Sequence, residues 1–399
     1  MEITILYSLA LLIMLINMIC RKKNIVGIIL YALYFGSSIF SVIGIIEGII
    51  RSDNLSIFPY IILVVTYGLF FSPFISSRMP SSEEISKEIP RIYILFSYFY
   101  IICSLLSIFT YLPSIRSLIA SGQWANNYRA LLSGELIFPD SAPILHFATL
   151  VSGYCKVLAM LLAFAMMRNE KKNALSILLL VGVTGRVVCS AIFTSSRGAL
   201  VSYALLFFTI YFFFFPNIEK NKKFFTTFLL LSGAFLVVPF FIQVTADRFR
   251  TGNALSSIID YLGKAPVVFN YGVYTSRGVA LGKFGWGSLF GLPFSPSEIG
   301  GNWGTSFYTF VGYIYIDWGL IGLLFISIIV YMFWNNYLRR DNWEISDLFL
   351  LFMHFSFLLD GVFVIGRDYC YIVLITFAIY FIIKVFFEKY HYRIGSYHL

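Results

Sequence analysis

Long apolar runs recur along almost the whole chain, and they leave it very little choice of fold. A run of roughly 20 apolar residues crosses the hydrocarbon core of a bilayer as a helix, and on that rule eleven spans are expected. They are Ile3 to Cys20, Ile25 to Ile50, Leu55 to Ser77, Ile92 to Pro113, Pro143 to Met167, Ala174 to Phe193, Ala199 to Phe215, Phe224 to Val244, Ser306 to Trp334, Ile345 to Val364 and Tyr369 to Phe387. The sixth and seventh runs lie so close that they read as one hairpin. Composition agrees with the pattern: 59% of the 399 residues are hydrophobic and only 12% are charged. The fold class expected is all-α, a polytopic integral membrane protein with about 11 transmembrane helices forming a single domain over 1–399.

The five cysteines, Cys20, Cys103, Cys155, Cys189 and Cys370, sit in or at the ends of apolar runs without metal or redox spacing. They read as small core residues. No cationic segment precedes the first run, so a spanning helix is expected there and not a cleaved signal peptide. Lys and Arg number 17 in one set of alternate loops and 10 in the other. Excess cations mark the cytoplasmic side, which puts the N-terminus on the periplasmic face of an inner membrane and the C-terminus in the cytoplasm.

Two outer loops follow, a smaller one at 114–142 and a large periplasmic one at about 245–305. The large loop carries Asp247, Arg248, Arg250, Asp260, Lys264, Arg277, Lys283 and Glu298 among Gly, Ser and aromatic residues. Its Trp and Pro content suits a structured element better than a tether. Short amphipathic helices are expected in both loops. In Asn253 to Gly263, Leu255, Ile258, Ile259 and Leu262 repeat at helical spacing, with Asn253 as N-cap and Gly263 as stop. In Ser121 to Leu132, Trp124, Tyr128, Leu131 and Leu132 do the same, with Arg129 near the polar side. Both suit the membrane interface, and both also suit plain packing on the bundle.

The outer cations are eight Arg to two Lys, against seven Arg to ten Lys inside. Topology is indifferent to that choice, whereas bidentate binding of phosphate or carboxylate is not. Outer arginines are therefore candidate anion ligands, although any one of them also pairs readily with an acid or a lipid headgroup. Thr194-Ser195-Ser196-Arg197-Gly198 recurs as Thr275-Ser276-Arg277-Gly278 on the same face. Each places hydroxyls and an Arg beside a Gly that lets backbone approach closely. Arg367, beside Asp368, reaches that face too.

Ionisable residues inside spans are costly and default to functional hypotheses. Glu47 is expected to pair locally with Arg51. Lys156, Arg186, Asp317 and Asp360 could form structural pairs, such as Lys156 with Asp317, or line a hydrophilic cavity. His146 and His354 read as core residues. No phosphate-binding Walker loop, zinc cluster, nucleophile elbow or Asp-x-Asp pair is present, so no cofactor or metal and no nucleic-acid partner is expected.

The many spans, the Thr194 to Gly198 motif and the large loop before a late helix resemble bacterial O-antigen polymerases of the Wzy type. So does the passage Asn302-Trp303-Gly304-Thr305-Ser306 into Ile316-Asp317-Trp318-Gly319-Leu320-Ile321-Gly322. The resemblance implies a glycosyltransferase of lipopolysaccharide biosynthesis that moves a growing glycan from undecaprenyl pyrophosphate to the next lipid-linked oligosaccharide. A flippase and a chain-length regulator would work beside it. In that chemistry Arg197 and Arg277 would stabilise the departing pyrophosphate, and Asp247, Glu298 or Asp317 would act as base. Arg248, Arg250, Arg367, Arg129 and Ser196 would bind substrate. An O-antigen ligase shares this architecture but would carry a catalytic histidine in the large loop, and none lies there. A non-enzymatic lipid-linked oligosaccharide flippase is the other alternative, and the charges inside the spans are what favours it.

Overall fold

The computed structural model describes residues 1–20, 24–76, 78–83, 85, 89–124, 126–127, 142–168, 173–218, 223, 227, 254–287, 290, 298, 309–340, 342–362 and 369–388, with backbone alone at 197, 254, 255 and 257. Among these residues every regular element is a helix, as expected. In chain order they are α1 (Glu2–Cys20), α2 (Ile25–Ile46), α3 (Ile57–Phe70), α4 (Ser72–Ile75), α5 (Arg91–Ser121), α6 (Pro143–Tyr154) and α7 (Lys156–Met167). There follow α8 (Asn173–Phe193), α9 (Arg197–Phe214), α10 (Ala254–Thr275), α11 (Lys283–Trp286), α12 (Phe310–Tyr337), α13 (Ile345–Asp360) and α14 (Tyr369–Ile382).

Seven helices of the described residues are long and apolar enough to cross a membrane: α1, α2, α5, α8, α9 with its short extension to Asn217, α12, and α14 with its extension to Glu388. An eighth is reached if α6 and α7, bent by 62°, are taken as one span. The expected eleven are therefore not all present as single helices. The third run stops at Phe70 and restarts as α4, where Pro73 occupies the first turn. The tenth is a helix of 16 residues, and Phe224 to Val244 lies almost wholly outside the described residues.

Boundaries shift for local reasons. The second run ends at Ile46 because Gly48 is left-handed (φ 69°) and closes a Schellman turn, with Ile49 N–H donating to the Gly44 carbonyl and Gly48 N–H to that of Ile45. That turn takes Glu47 and Arg51 off helical spacing, and the expected ion pair between them is not formed. Helix α5 continues through Pro113 and ends at left-handed Gly122, so the loop placed at 114–142 opens with helix. His146, expected in the core, is exposed, as is Cys20.

The described chain divides into two units. One comprises Ser81–Thr251, Asn342–Phe355 and Ile375–Leu399. Its centre is α7, in which every residue from Val157 to Met167 is buried; helix α5 packs along α8 and α6 in the same unit. Lys384 there binds three carboxylates, Glu344 at 2.5 Å, Asp347 at 3.3 Å and Glu388 at 3.3 Å. Glu388 also accepts from the Tyr93 hydroxyl at 2.6 Å and the Ser346 N–H at 2.9 Å. The network joins α5, α13 and the extension of α14.

The other unit comprises Met1–Pro80, Gly252–Asp341 and Ser356–Leu374. An aromatic cluster of Tyr34, Tyr67, Phe71 and Phe310 fills it, and the Tyr34 hydroxyl donates to the Leu358 carbonyl at 2.8 Å. Here the expected short helix ending at Gly263 is corrected. Helix α10 runs on through Gly263 and Pro266 to Thr275, buried from Ala265 to Asn270. Gly263 is a contact point and not a stop: a Cβ there would lie 2.4 Å from the Phe40 carbonyl carbon of α2 and 2.5 Å from Ser41 N. Pro266 has no N–H to give to Leu262, and Ser37 of α2 donates to that carbonyl at 2.7 Å instead.

Gly263→Ala should therefore force α2 and α10 apart and destabilise the protein by about 1–3 kcal/mol or more. Gly36→Ala, in α2 with open space around it, should be neutral or slightly stabilising. Thermal unfolding of both variants in detergent checks this, and equal midpoints would contradict the close packing of α10 on α2.

Candidate functional site

Helix α10 ends at the second Thr-Ser-Arg-Gly motif. Thr275 Oγ1 donates to the Tyr271 carbonyl at 2.7 Å and Ser276 Oγ to the Gly278 carbonyl at 3.0 Å. The hydroxyls thus build the turn, and Arg277 stands exposed on it. Beside it, burial pushes the Tyr271 phenol above its usual pKa; Asp53 adds to that and Arg51 opposes it.

The chain after Arg277 is fastened to α12. Gly319 breaks that helix with φ 62° and ψ −166°, a conformation open to glycine and costly for other residues. The break releases the carbonyls of Ile316 and Asp317, which accept from Ala280 N–H at 2.8 Å and Leu281 N–H at 2.9 Å. Left-handed Leu281 (φ 53°) and Gly282 (φ 84°) then turn the chain into α11.

Asp317 receives that turn. Its Oδ1 accepts from Phe284 N–H at 2.9 Å, and its Oδ2 from Gly285 N–H and from the Tyr369 hydroxyl, both at 2.8 Å. Gly285 has to be small, because a Cβ would lie 2.7 Å from Cys370 Sγ and 2.9 Å from Asp317 Oδ2. The carboxylate is fully buried and both oxygens are engaged. Backbone N–H groups and a phenol supply what a cation would have supplied. As a base Asp317 would first have to surrender these bonds, so its geometry is that of a residue that positions the Arg277 segment.

In the other unit, the first copy of the motif is the turn between α8 and α9. Thr194 Oγ1 donates to the Ser190 carbonyl at 2.9 Å, and Ser195 is buried with φ 51°. Asn127 Nδ2 donates to the Phe193 carbonyl at 2.6 Å and to Ser195 Oγ at 3.2 Å. Ser196, expected to bind substrate, caps α9 by accepting from Ala199 N–H at 3.4 Å. Arg197 is the first residue of α9, and its side chain lies outside the described residues. Trp124 is buried against Leu118 and Ile192, so that part of the 121–132 segment packs inward.

Glu298 is exposed. Asp247, Arg248, Arg250, Arg129 and Arg367 lie outside the described residues. Sequence reading missed Tyr369, Asn127 and the glycine contacts, none of which carries a charge or a spacing that marks it. It also treated Pro143 to Met167 as one span, although Gly153 and Cys155 sit at a bend.

Comparison with known proteins finds no match: no family profile, no curated protein and no solved structure is similar to the chain. What fold and geometry define is a class, an all-helical membrane protein with an exposed arginine on a turn fastened to a broken spanning helix.

Asp317→Ala should release the Arg277 segment, since each buried N–H left unpaired costs about 1–3 kcal/mol. Limited trypsinolysis in detergent, read by mass spectrometry, should show cleavage after exposed Arg277 and Lys283 at least ~10-fold faster than in the wild type, with Asp317→Asn in between. Unchanged cleavage would remove Asp317 from this role.

Proposed function

We propose that the protein is a glycosyltransferase of a bacterial inner membrane that joins undecaprenyl pyrophosphate-linked oligosaccharide units, as O-antigen polymerases do. The observation that carries this is Arg277, exposed on a hydroxyl-rich turn that the α12 break and Asp317 hold in place. A hydroxyl of the acceptor unit attacks the anomeric carbon of the donor. The bond from that carbon to the pyrophosphate oxygen breaks, the pyrophosphate leaves with the electron pair, and the hydroxyl proton passes to a base.

Charge grows on the leaving group, and a preorganised guanidinium in a partly dry site favours that charge in the transition state over the ground state. Arg277 takes this role, with Arg197 at the start of α9 as its counterpart. Exposed Glu298, or Asp247, accepts the proton, and Asp317 acts through the loop it holds. Arg248, Arg250, Arg129 and Arg367 remain candidates for binding the second lipid-linked unit. The break between α6 and α7 favours a second reading, a lipid-linked oligosaccharide flippase, because broken spans recur in transporters.

Deleting the gene should leave lipopolysaccharide with a core-plus-one-unit band and no ladder on a gel. Complementation with Arg277→Ala should fail to restore the ladder, at wild-type protein level in the membrane, because loss of one such donor costs about 10²–10³ in rate. A normal ladder from Arg277→Ala would overturn the role of that residue. Loss of the one-unit band on deletion would overturn the polymerase reading in favour of flippase or ligase.

A further inference from the structure

Arg186 lies within α8, about 10 Å from its Phe193 end at ~1.5 Å per residue, in a helix otherwise apolar enough to cross a membrane. A cation there is costly unless something answers it. Among the described residues its guanidinium makes one hydrogen bond, from Nη2 to the Thr149 carbonyl of α6 at 3.4 Å, and Nε is buried without a partner. Among the described residues no carboxylate meets it. A bond to a carbonyl in the C-terminal half of α6 is a favourable use of the charge, but it leaves most of the guanidinium's donors unspent.

The surroundings are shaped for it and are polar. A Cβ at Gly153 would lie 2.9 Å from Nη2, so the glycine makes room for the guanidinium against the bend. Gly182, one turn before Arg186 on the same face of α8, meets Ser104 of α5: a Cβ there would lie 3.7 Å from Ser104 Oγ. Ser104 and Ser107 are fully buried; the Ser104 hydroxyl faces that of Tyr100, and the Ser107 hydroxyl has no partner among the described residues. Tyr100, one turn before Ser104, donates to the Ser152 carbonyl at 2.9 Å, which returns the ring to Gly153. Beyond the bend, no side chain caps the first turn of α7. Guanidinium, serine hydroxyls and helix N–H groups are all donors, and the ring Arg186, Gly153, Ser152, Tyr100, Ser104, Gly182 contains no anion.

We propose that this cluster is an anion-binding site inside the membrane-spanning region that takes a phosphate group. The guanidinium fork engages two phosphate oxygens, and the serine hydroxyls and first-turn N–H groups of α7 complete the set. The phosphate reaches it either as a free anion or as the charged end of a lipid. The site does not rest on the glycosyl-transfer reading, and its test measures binding alone.

The experiment is thermal unfolding of the purified full-length protein in detergent, titrated with inorganic pyrophosphate and, separately, with farnesyl pyrophosphate. Each series is run in wild type and in an Arg277→Ala background, so that the exposed turn does not contribute. A saturable rise in midpoint that is at least tenfold weaker in apparent affinity in Arg186→Gln supports the site. Gly153→Ala, whose methyl group strikes Nη2, should weaken it similarly, and Arg186→Lys should weaken it through loss of the fork. These two variants decide the matter if Arg186→Gln does not fold. Response to pyrophosphate identifies a free-anion site, and response to the farnesyl compound alone identifies a lipid phosphate. Equal shifts in wild type and variants, or no shift with either probe, would overturn it.

Discussion

A backbone carbonyl released by a break in a spanning helix has no water to turn to, and much of the described structure follows from how such groups are satisfied. In a bilayer an unpaired polar group costs several kcal/mol, so each interruption must recruit a donor from elsewhere in the chain. Gly319 releases two carbonyls of α12, and the segment at Ala280 and Leu281 takes them. In α10, which is not one of the spans, Pro266 likewise leaves Leu262 without its helical donor, and Ser37 supplies one. Where α6 ends, Tyr100 reaches the Ser152 carbonyl. The breaks are thus the points at which one helix is bound to the next, with a directionality that apolar packing lacks.

This places strength and chemistry at the same positions. The Arg277 segment is held by two carbonyls and a carboxylate, so an exposed arginine there is presented by a fixed backbone. Preorganisation of that kind is what electrostatic stabilisation of a leaving group needs, because a donor that must first be ordered spends its interaction on ordering. The turn at Thr194 to Ser196 is built likewise: its hydroxyls bond to nearby backbone, and Asn127 secures left-handed Ser195. In both copies of the motif the serines and threonines shape the turn, and in the second the exposed Arg277 remains as the group that chemistry can use.

The helical class was legible because it depends on a property summed over some twenty residues, which local detail barely disturbs. Boundaries and breaks were not, because they turn on single residues whose meaning depends on a partner. Gly48 and Gly263 look alike in sequence. One ends a helix through a left-handed turn, and the other lets two helices touch while its own helix continues. Pro266 would ordinarily argue for a stop, yet α10 passes through it because the hydroxyl of Ser37, far away in sequence, donates to the released Leu262 carbonyl. The donors that fill Asp317 were illegible for a similar reason. Opposite charges in spans suggest each other, but backbone N–H groups compete for a carboxylate and leave no mark in the sequence.

Charges set among these helices meet three different fates, and the difference carries functional meaning. Lys384 is surrounded by acids and tied to three elements, so its energy is committed to structure. Both oxygens of Asp317 are engaged by N–H and O–H donors, and its charge is spread over a backbone turn. Among the described residues Arg186 has one long hydrogen bond and a glycine that clears space for it. Desolvating a guanidinium is among the costlier acts in a membrane interior, and selection for stability alone would replace it with an apolar side chain. A cation that bears the cost with no carboxylate partner among the described residues is what the proposed anion would answer.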